Sequence, residues 1–246
     1  MLKRLCCCIV LPVVILGGCY LLLLNFPQPL FRWSVQSDNL RLYSDRPFPP
    51  EAGRELLRSV QRKLALSPLY SAKGRHDVFI CNSPWRRTVF FLPAPRGAGG
   101  ANYHPWTSNV FLVAAAIEHN RLINRSGKPD VLGRSLDHFM THEITHTLTS
   151  REVGLSHFQD LPDWIKEGYA EYVARGAGFD YEQSVQAFLV SAPEMNPPIL
   201  VPYRRYETLV AFFLKHEGGI RRLLVQPRSQ AEAEAVLRAA AGAPRP

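Results

Sequence analysis

Ser135-Leu136-Asp137-His138-Phe139-Met140-Thr141-His142-Glu143-Ile144-Thr145-His146-Thr147-Leu148 is the stretch from which the rest of the chain is read. Leu136, Met140, Ile144 and Leu148 recur at every fourth position, which predicts a helix with one packed face. Ser135 is placed to be its N-cap. Asp137 falls in the first turn, where negative charge is favourable. His142 and His146 are also four apart, on a different face, with about one turn of rise between them. Two imidazoles so spaced can reach one zinc ion at ~2.0–2.1 Å. Glu143 follows the first of them and points beside the ion. There it can take a proton from a water and pass it to a leaving amine.

A catalytic zinc takes three protein ligands and keeps a fourth position for water. Downstream candidates for the third are His157, Asp163, Glu167 and Glu171. The pattern with a third histidine six residues after the second fails here, because Glu152 stands at that position and Thr149 at the preceding glycine position. More informative is Trp164-Ile165-Lys166-Glu167-Gly168-Tyr169-Ala170-Glu171-Tyr172. Pro162 before it and Gly176 after it are helix start and stop residues. Glu167 and Glu171 are four apart and share one face; Glu171 can also pair with Arg175, one further turn on.

These two segments resemble the gluzincin metallopeptidases, the thermolysin- and aminopeptidase-like group, and most of all bacterial proteins with a peptidase-MA-like domain. The likeness is strong over 135–175 and extends more thinly over 109–224. It implies that Glu167, just before a glycine, is the third zinc ligand. It implies that Glu171, one turn on, supports a zinc-bound histidine. Twenty residues separate His146 from Glu167, slightly more than in the aminopeptidase branch. The resemblance further implies an edge strand that holds extended substrate antiparallel, for which 109–115 is the candidate. It also implies an oxyanion donor downstream, either Tyr206 or its neighbour Tyr203. The expected activity is zinc-dependent hydrolysis of a peptide or protein substrate. An endopeptidase is favoured over an aminopeptidase, because no carboxylate upstream of His142 is an assured partner for a free amine. The alternative is a catalytically inactive zinc- or peptide-binding module.

Around this centre the expected elements fall in α+β order, strands first and helices later. Residues 51–66 read as an amphipathic helix with Leu56, Leu57, Val60 and Leu64 on one face. Strands are expected over 77–81, 88–92 and 109–115, with Arg41-Leu42-Tyr43-Ser44 as a candidate first short strand and a Pro/Gly-rich loop over 93–107. Helices are expected over 162–175, 181–189, 206–216 and 231–241. With the resemblance, the expectation is a zincin-like fold: a small mixed sheet with an edge strand over a two-helix zinc site, and a helical C-terminal part. The corresponding divisions are an anchor over 1–26, a linker over 27–50, an α/β part over 51–132, a helical zinc-binding part over 133–240 and a disordered tail over 241–246.

Lys3 and Arg4 precede twenty mostly apolar residues, 5–24, enough to span a bilayer with the N-terminus inside. This predicts a single-pass membrane anchor with the domain outside the cytoplasm. A cleaved signal peptide, or a lipoprotein modified at Cys19 after Leu16-Gly17-Gly18, leads to the same side. No second apolar run of that length exists, which excludes an intramembrane protease. The net charge of +8 is spread over short Arg pairs. With no basic run of five or more and no recognition motif, no nucleic-acid partner is expected; a nearby anionic lipid surface accounts for the charge. Four of the five cysteines lie in the first 19 residues, so Cys81 has no partner for a disulfide in the rest of the chain. Nothing in the sequence sets an oligomeric state.

Overall fold

The computed structural model describes residues 2–95, 97–123, 133–197 and 201–242, with side chains from residue 12 onward. Helix α1 (Leu2–Asn25) leads into a hairpin of β1 (Trp33–Ser37) and β2 (Leu40–Ser44). Next come α2 (Pro50–Leu64), β3 (His76–Ile80), α3 (Pro84–Phe90), β4 (Gly100–Asn102) and β5 (Val110–Leu112). A short ribbon of β6 (Ala115–Ala116) and β7 (Arg121–Leu122) follows. The remainder is helical: α4 (Leu136–Val153), α5 (Leu155–Asp160), α6 (Asp163–Arg175), α7 (Tyr181–Leu189), α8 (Tyr203–His216), α9 (Ile220–Val225) and α10 (Gln230–Ala240). The fold is therefore α+β, with a small mixed sheet.

The larger sheet has the order β1-β2-β3-β5-β4. Its inner pairs, β2 with β3 and β3 with β5, are parallel, and its outer pairs are antiparallel. Every residue of β3 and β5 is buried, which is why Val78-Phe79-Ile80 and Val110-Phe111-Leu112 read as unbroken apolar runs. Of the segment 109–115, residues 110–112 thus form an inner strand. The edge strand beside it is β4, inside the stretch expected to be a Pro/Gly-rich loop. Three residues with one glycine and one asparagine carry no alternating pattern to reveal it.

Two further expectations change. Residues 88–92 are the end and exit of a helix, because Pro84 sits at its first turn, where proline starts helices well. The segment 27–50 holds the β1–β2 hairpin rather than only a linker. Val35 and Leu42 are buried across from one another, and Asp38 takes the left-handed φ of 48° that the tight turn requires. The division at 132–133 and residues 243–246 of the expected tail touch or lie outside the described residues.

The single-pass anchor is corrected. Among the described residues no helix is long and apolar enough to cross a membrane. The last turns of α1 are engaged by the domain instead. Leu24 is buried in its core, and the Tyr20 hydroxyl donates to the Val89 carbonyl. Asn25 donates through Nδ2 to the carbonyls of Leu21 and Trp106. With the anchor goes the expectation of a single-pass membrane protein that holds its domain outside the cytoplasm.

Helix α2 lays Leu56, Leu57, Val60 and Leu64 into the core beside α4. It also fixes the start of α4. Ser59 donates to Asp137 Oδ2 at 2.7 Å, and Lys63 Nζ lies 2.8 Å from the same oxygen. Burial alone would raise the Asp137 carboxyl, but Lys63, Ser135 and Ser59 together hold it well below the usual range. Ser135 stands at the N-cap position, yet its hydroxyl donates to Asp137 and makes no capping bond. Helix α6 packs between α4 and α8. At its closest approach to α8 it carries Gly168, where a Cβ would come within 2.5 Å of the Tyr206 carbonyl oxygen. Glycine at that position lets the two backbones meet.

Candidate metal centre

Helices α4 and α6 lie side by side, so the histidine face of one meets the glutamate face of the other. His142 Nε2 and His146 Nε2 are 3.1 Å apart. Glu167 reaches both, with Oε2 at 3.2 Å from His142 Nε2 and Oε1 at 3.7 Å from His146 Nε2. Zinc bonds of ~2.0–2.1 Å at tetrahedral angles put neighbouring donor atoms roughly 3.3–3.4 Å apart. The two imidazole nitrogens lie close to that edge length, and the Glu167 carboxylate reaches them through one oxygen each, so the three residues could hold a metal ion. A donor set of two imidazoles and a carboxylate is compatible with zinc.

A second group could also hold a metal ion: His138, His142 and Glu171, all buried. His138 Nε2 lies 3.0 Å from Glu171 Oε1, and His142 Nδ1 lies 3.3 Å from Glu171 Oε2. The two groups share His142 but use opposite ring nitrogens. A histidine that binds metal through one nitrogen characteristically presents the other to a carboxylate. Arg175 Nη2 donates to Glu171 Oε1 at 3.4 Å, so a cation already serves that carboxylate. Arg175 Nε also donates to Glu207 Oε1 at 2.5 Å. Glu207 is fully buried, and burial pushes its carboxyl up to about 7. The first group, in contrast, opens on a cleft.

The charges describe a site that attracts positive charge. Burial disfavours the imidazolium of His142, but Glu167 and Glu171 beside it override this and push it up to about 10. His146 goes the other way, down to about 4, because burial dominates and His142 repels a second proton. Glu167 is drawn down to about 2 against its burial by the two histidines. Burial, with Glu167 adding to it, pushes Glu143 up to about 7.

The cleft has a volume of about 600 Å³ and is lined by His142, Glu143, His146 and Glu167 on the helical side. Strand β4 and the chain before it form the facing wall. Gly100 is pressed so close to α4 that a Cβ there would lie 2.4 Å from Glu143 Oε1. Asn102 fastens the strand, donating from Nδ2 to the Glu143 carbonyl at 3.1 Å and to the Thr147 hydroxyl. Tyr203 also lines the cleft, with its ring 5.9 Å from that of His142.

His142, Glu143, His146, Glu167 and Glu171 are thus brought together. Tyr206 is not: it does not line the cleft, and its carbonyl faces Gly168 instead. Tyr203, one turn earlier on α8, takes the place expected of Tyr206, because α8 begins at 203. Of the other ligand candidates, His157 meets the Leu224 carbonyl and Asp163 is exposed. Sequence reasoning missed Gly100, Asn102 and Arg134 as cleft residues, and His138 as a partner of Glu171. Only His138 carried a signal, since it precedes His142 by one turn. No family model matches the chain, and no curated protein does so either.

Proposed function

We propose that the protein is a zinc-dependent peptide-bond hydrolase of the gluzincin type, with one zinc held by His142, His146 and Glu167 in a zincin-like setting. The observation that carries this reading is a pair of imidazole nitrogens 3.1 Å apart with the Glu167 carboxylate reaching both, open to a cleft that Glu143 lines. Zinc bound there supplies a Lewis acid that acidifies a water and polarises a carbonyl.

The chain's own residues supply the rest. Glu143, raised toward neutrality, takes the proton of the attacking water and delivers it to the leaving amine. Strand β4 is the terminal strand of its sheet, so its outer edge offers backbone N–H and C=O groups to an extended peptide. Tyr203 donates to the oxyanion that forms on the scissile carbonyl. Glu171 orients His142 through Nδ1.

The test is Glu143→Gln in the full chain, with zinc content and hydrolysis of a peptide library measured together. The expected result is undiminished zinc with hydrolysis reduced at least ~100-fold. Undiminished hydrolysis would refute the role of Glu143. The fully buried His138–His142–Glu171 group favours a second reading, a metal kept for structure alone. Zinc retained without binding of a hydroxamate probe selects that reading.

A further inference from the structure

The cleft also carries a cation. Arg134, just ahead of α4, lines it together with Phe139 and Tyr203. The guanidinium carbon lies 4.5 Å from the centre of the Phe139 ring and 5.0 Å from that of Tyr203. Two aromatic faces fix where the guanidinium sits, and it also bonds to the Tyr203 side chain. It has five N–H donors, so a guanidinium with another partner still has donors to spare.

Among the described residues that line the cleft, Arg134 is the one arginine or lysine. Arg134 lines the same cleft as His142, Glu143 and Glu167. Phe139, over which the guanidinium lies, precedes Glu143 by one turn, ~6 Å of rise, so the fork sits within roughly three residues of extended peptide from Glu143.

We propose that Arg134 is a specificity residue that binds a carboxylate of the substrate. The preferred substrates then carry a free C-terminus, or an Asp or Glu side chain, within roughly three residues of the bond that is cut. A planar fork meeting a carboxylate in a partly water-excluded cleft gives both affinity and register. This substrate class rests on the hydrolase reading, but the binding itself needs no turnover.

The experiment therefore uses binding. The full chain carrying Glu143→Gln and loaded with zinc is titrated calorimetrically with three alanine-based hexapeptides that contain one Phe. One has a free C-terminus, one is amidated, and one is amidated with a single Asp. The expected result is that a carboxylate peptide binds ~30-fold or more tightly than the plain amide. Whichever carboxylate peptide wins identifies the source of the group. Adding Arg134→Gln should erase the preference, and Arg134→Lys should keep part of it, with thermal melts checking that both remain folded. Equal binding of all three, binding of none, or a preference that survives Arg134→Gln overturns the assignment. A preference with no hydrolysis by the unmutated protein sinks the hydrolase reading alone. Hydrolysis without a preference sinks the role of Arg134 alone.

Discussion

Glu171 Oε2 lies 3.3 Å from His142 Nδ1, while Nε2 of the same ring faces His146 and Glu167. One imidazole thus lies between the cleft-side residues and a buried carboxylate. Glu171→Gln should weaken zinc binding by ~10–100-fold, measured by competition with a chromophoric chelator. His146→Ala should cost far more than His138→Ala in the same assay. The reverse order would place the ion in the buried His138–His142–Glu171 group.

Tyr203 and Tyr206 are separated by a single helical turn, yet only Tyr203 lines the cleft. Burial and the charge of Glu167 push the Tyr203 hydroxyl up to about 12, so it keeps its proton at neutral pH and can donate. Tyr203→Phe should lower kcat by roughly 100-fold, the scale of a lost oxyanion donor, with KM little changed. Tyr206→Phe should leave both close to the parent values. The opposite pattern in steady-state kinetics would return the role to Tyr206.

What could be read from the sequence follows from distance along the chain. The histidines and Glu143 occupy one helix, and Glu167 and Glu171 another, so spacing alone told which side chains share a face. The Leu and Val positions of α2 and the apolar runs of β3 and β5 were legible for the same local reason. Edge strand β4 was not, because its three residues owe their position to pairing with Phe111 and to contact with α4. Of the β1–β2 hairpin only the second strand was legible, in Arg41-Leu42-Tyr43-Ser44; the first was hidden by a composition rich in proline and polar residues. The reason for glycine after Glu167 also lies elsewhere in the chain, in the carbonyl of Tyr206 on α8. Choosing between Tyr203 and Tyr206 depended on where α8 starts, and helix ends are the least certain part of any pattern.

Gly100 gives the facing wall of the cleft a sharp test. An added methyl group there would meet Glu143 Oε1 at 2.4 Å and Cγ at 2.7 Å, both parts of one movable side chain. The side chain would shift by about an ångström rather than the strand, since Asn102 holds β4 to α4 at 3.1 Å. Gly100→Ala should therefore bind zinc as the parent does but lose roughly 100-fold in kcat. Metal analysis beside single-turnover kinetics checks this. Full activity would show that the Glu143 carboxylate has no fixed position to lose.

His76, the first residue of β3, predicts how stability depends on pH away from the metal centre. It is 1% exposed, and neither ring nitrogen has a hydrogen-bond partner. Burial, with the charge of Arg151 adding to it, pushes its pKa from 6.5 down to about 4. Between those two values the unfolded chain binds a proton that the folded chain refuses. Stability from this group is therefore complete above about 6.5 and is lost as the pH falls toward about 4. The loss amounts to about 3 kcal/mol. Glu207 has the opposite sign, because its carboxyl is raised to about 7, and its contribution fades as the pH rises. A comparison with His76→Gln cancels that opposing slope. Urea unfolding at intervals from pH 4 to pH 8 should show the stability of the parent, relative to the variant, climbing through the window and flat above it. Two curves that run parallel throughout would mean that His76 finds a partner for its proton in the folded chain.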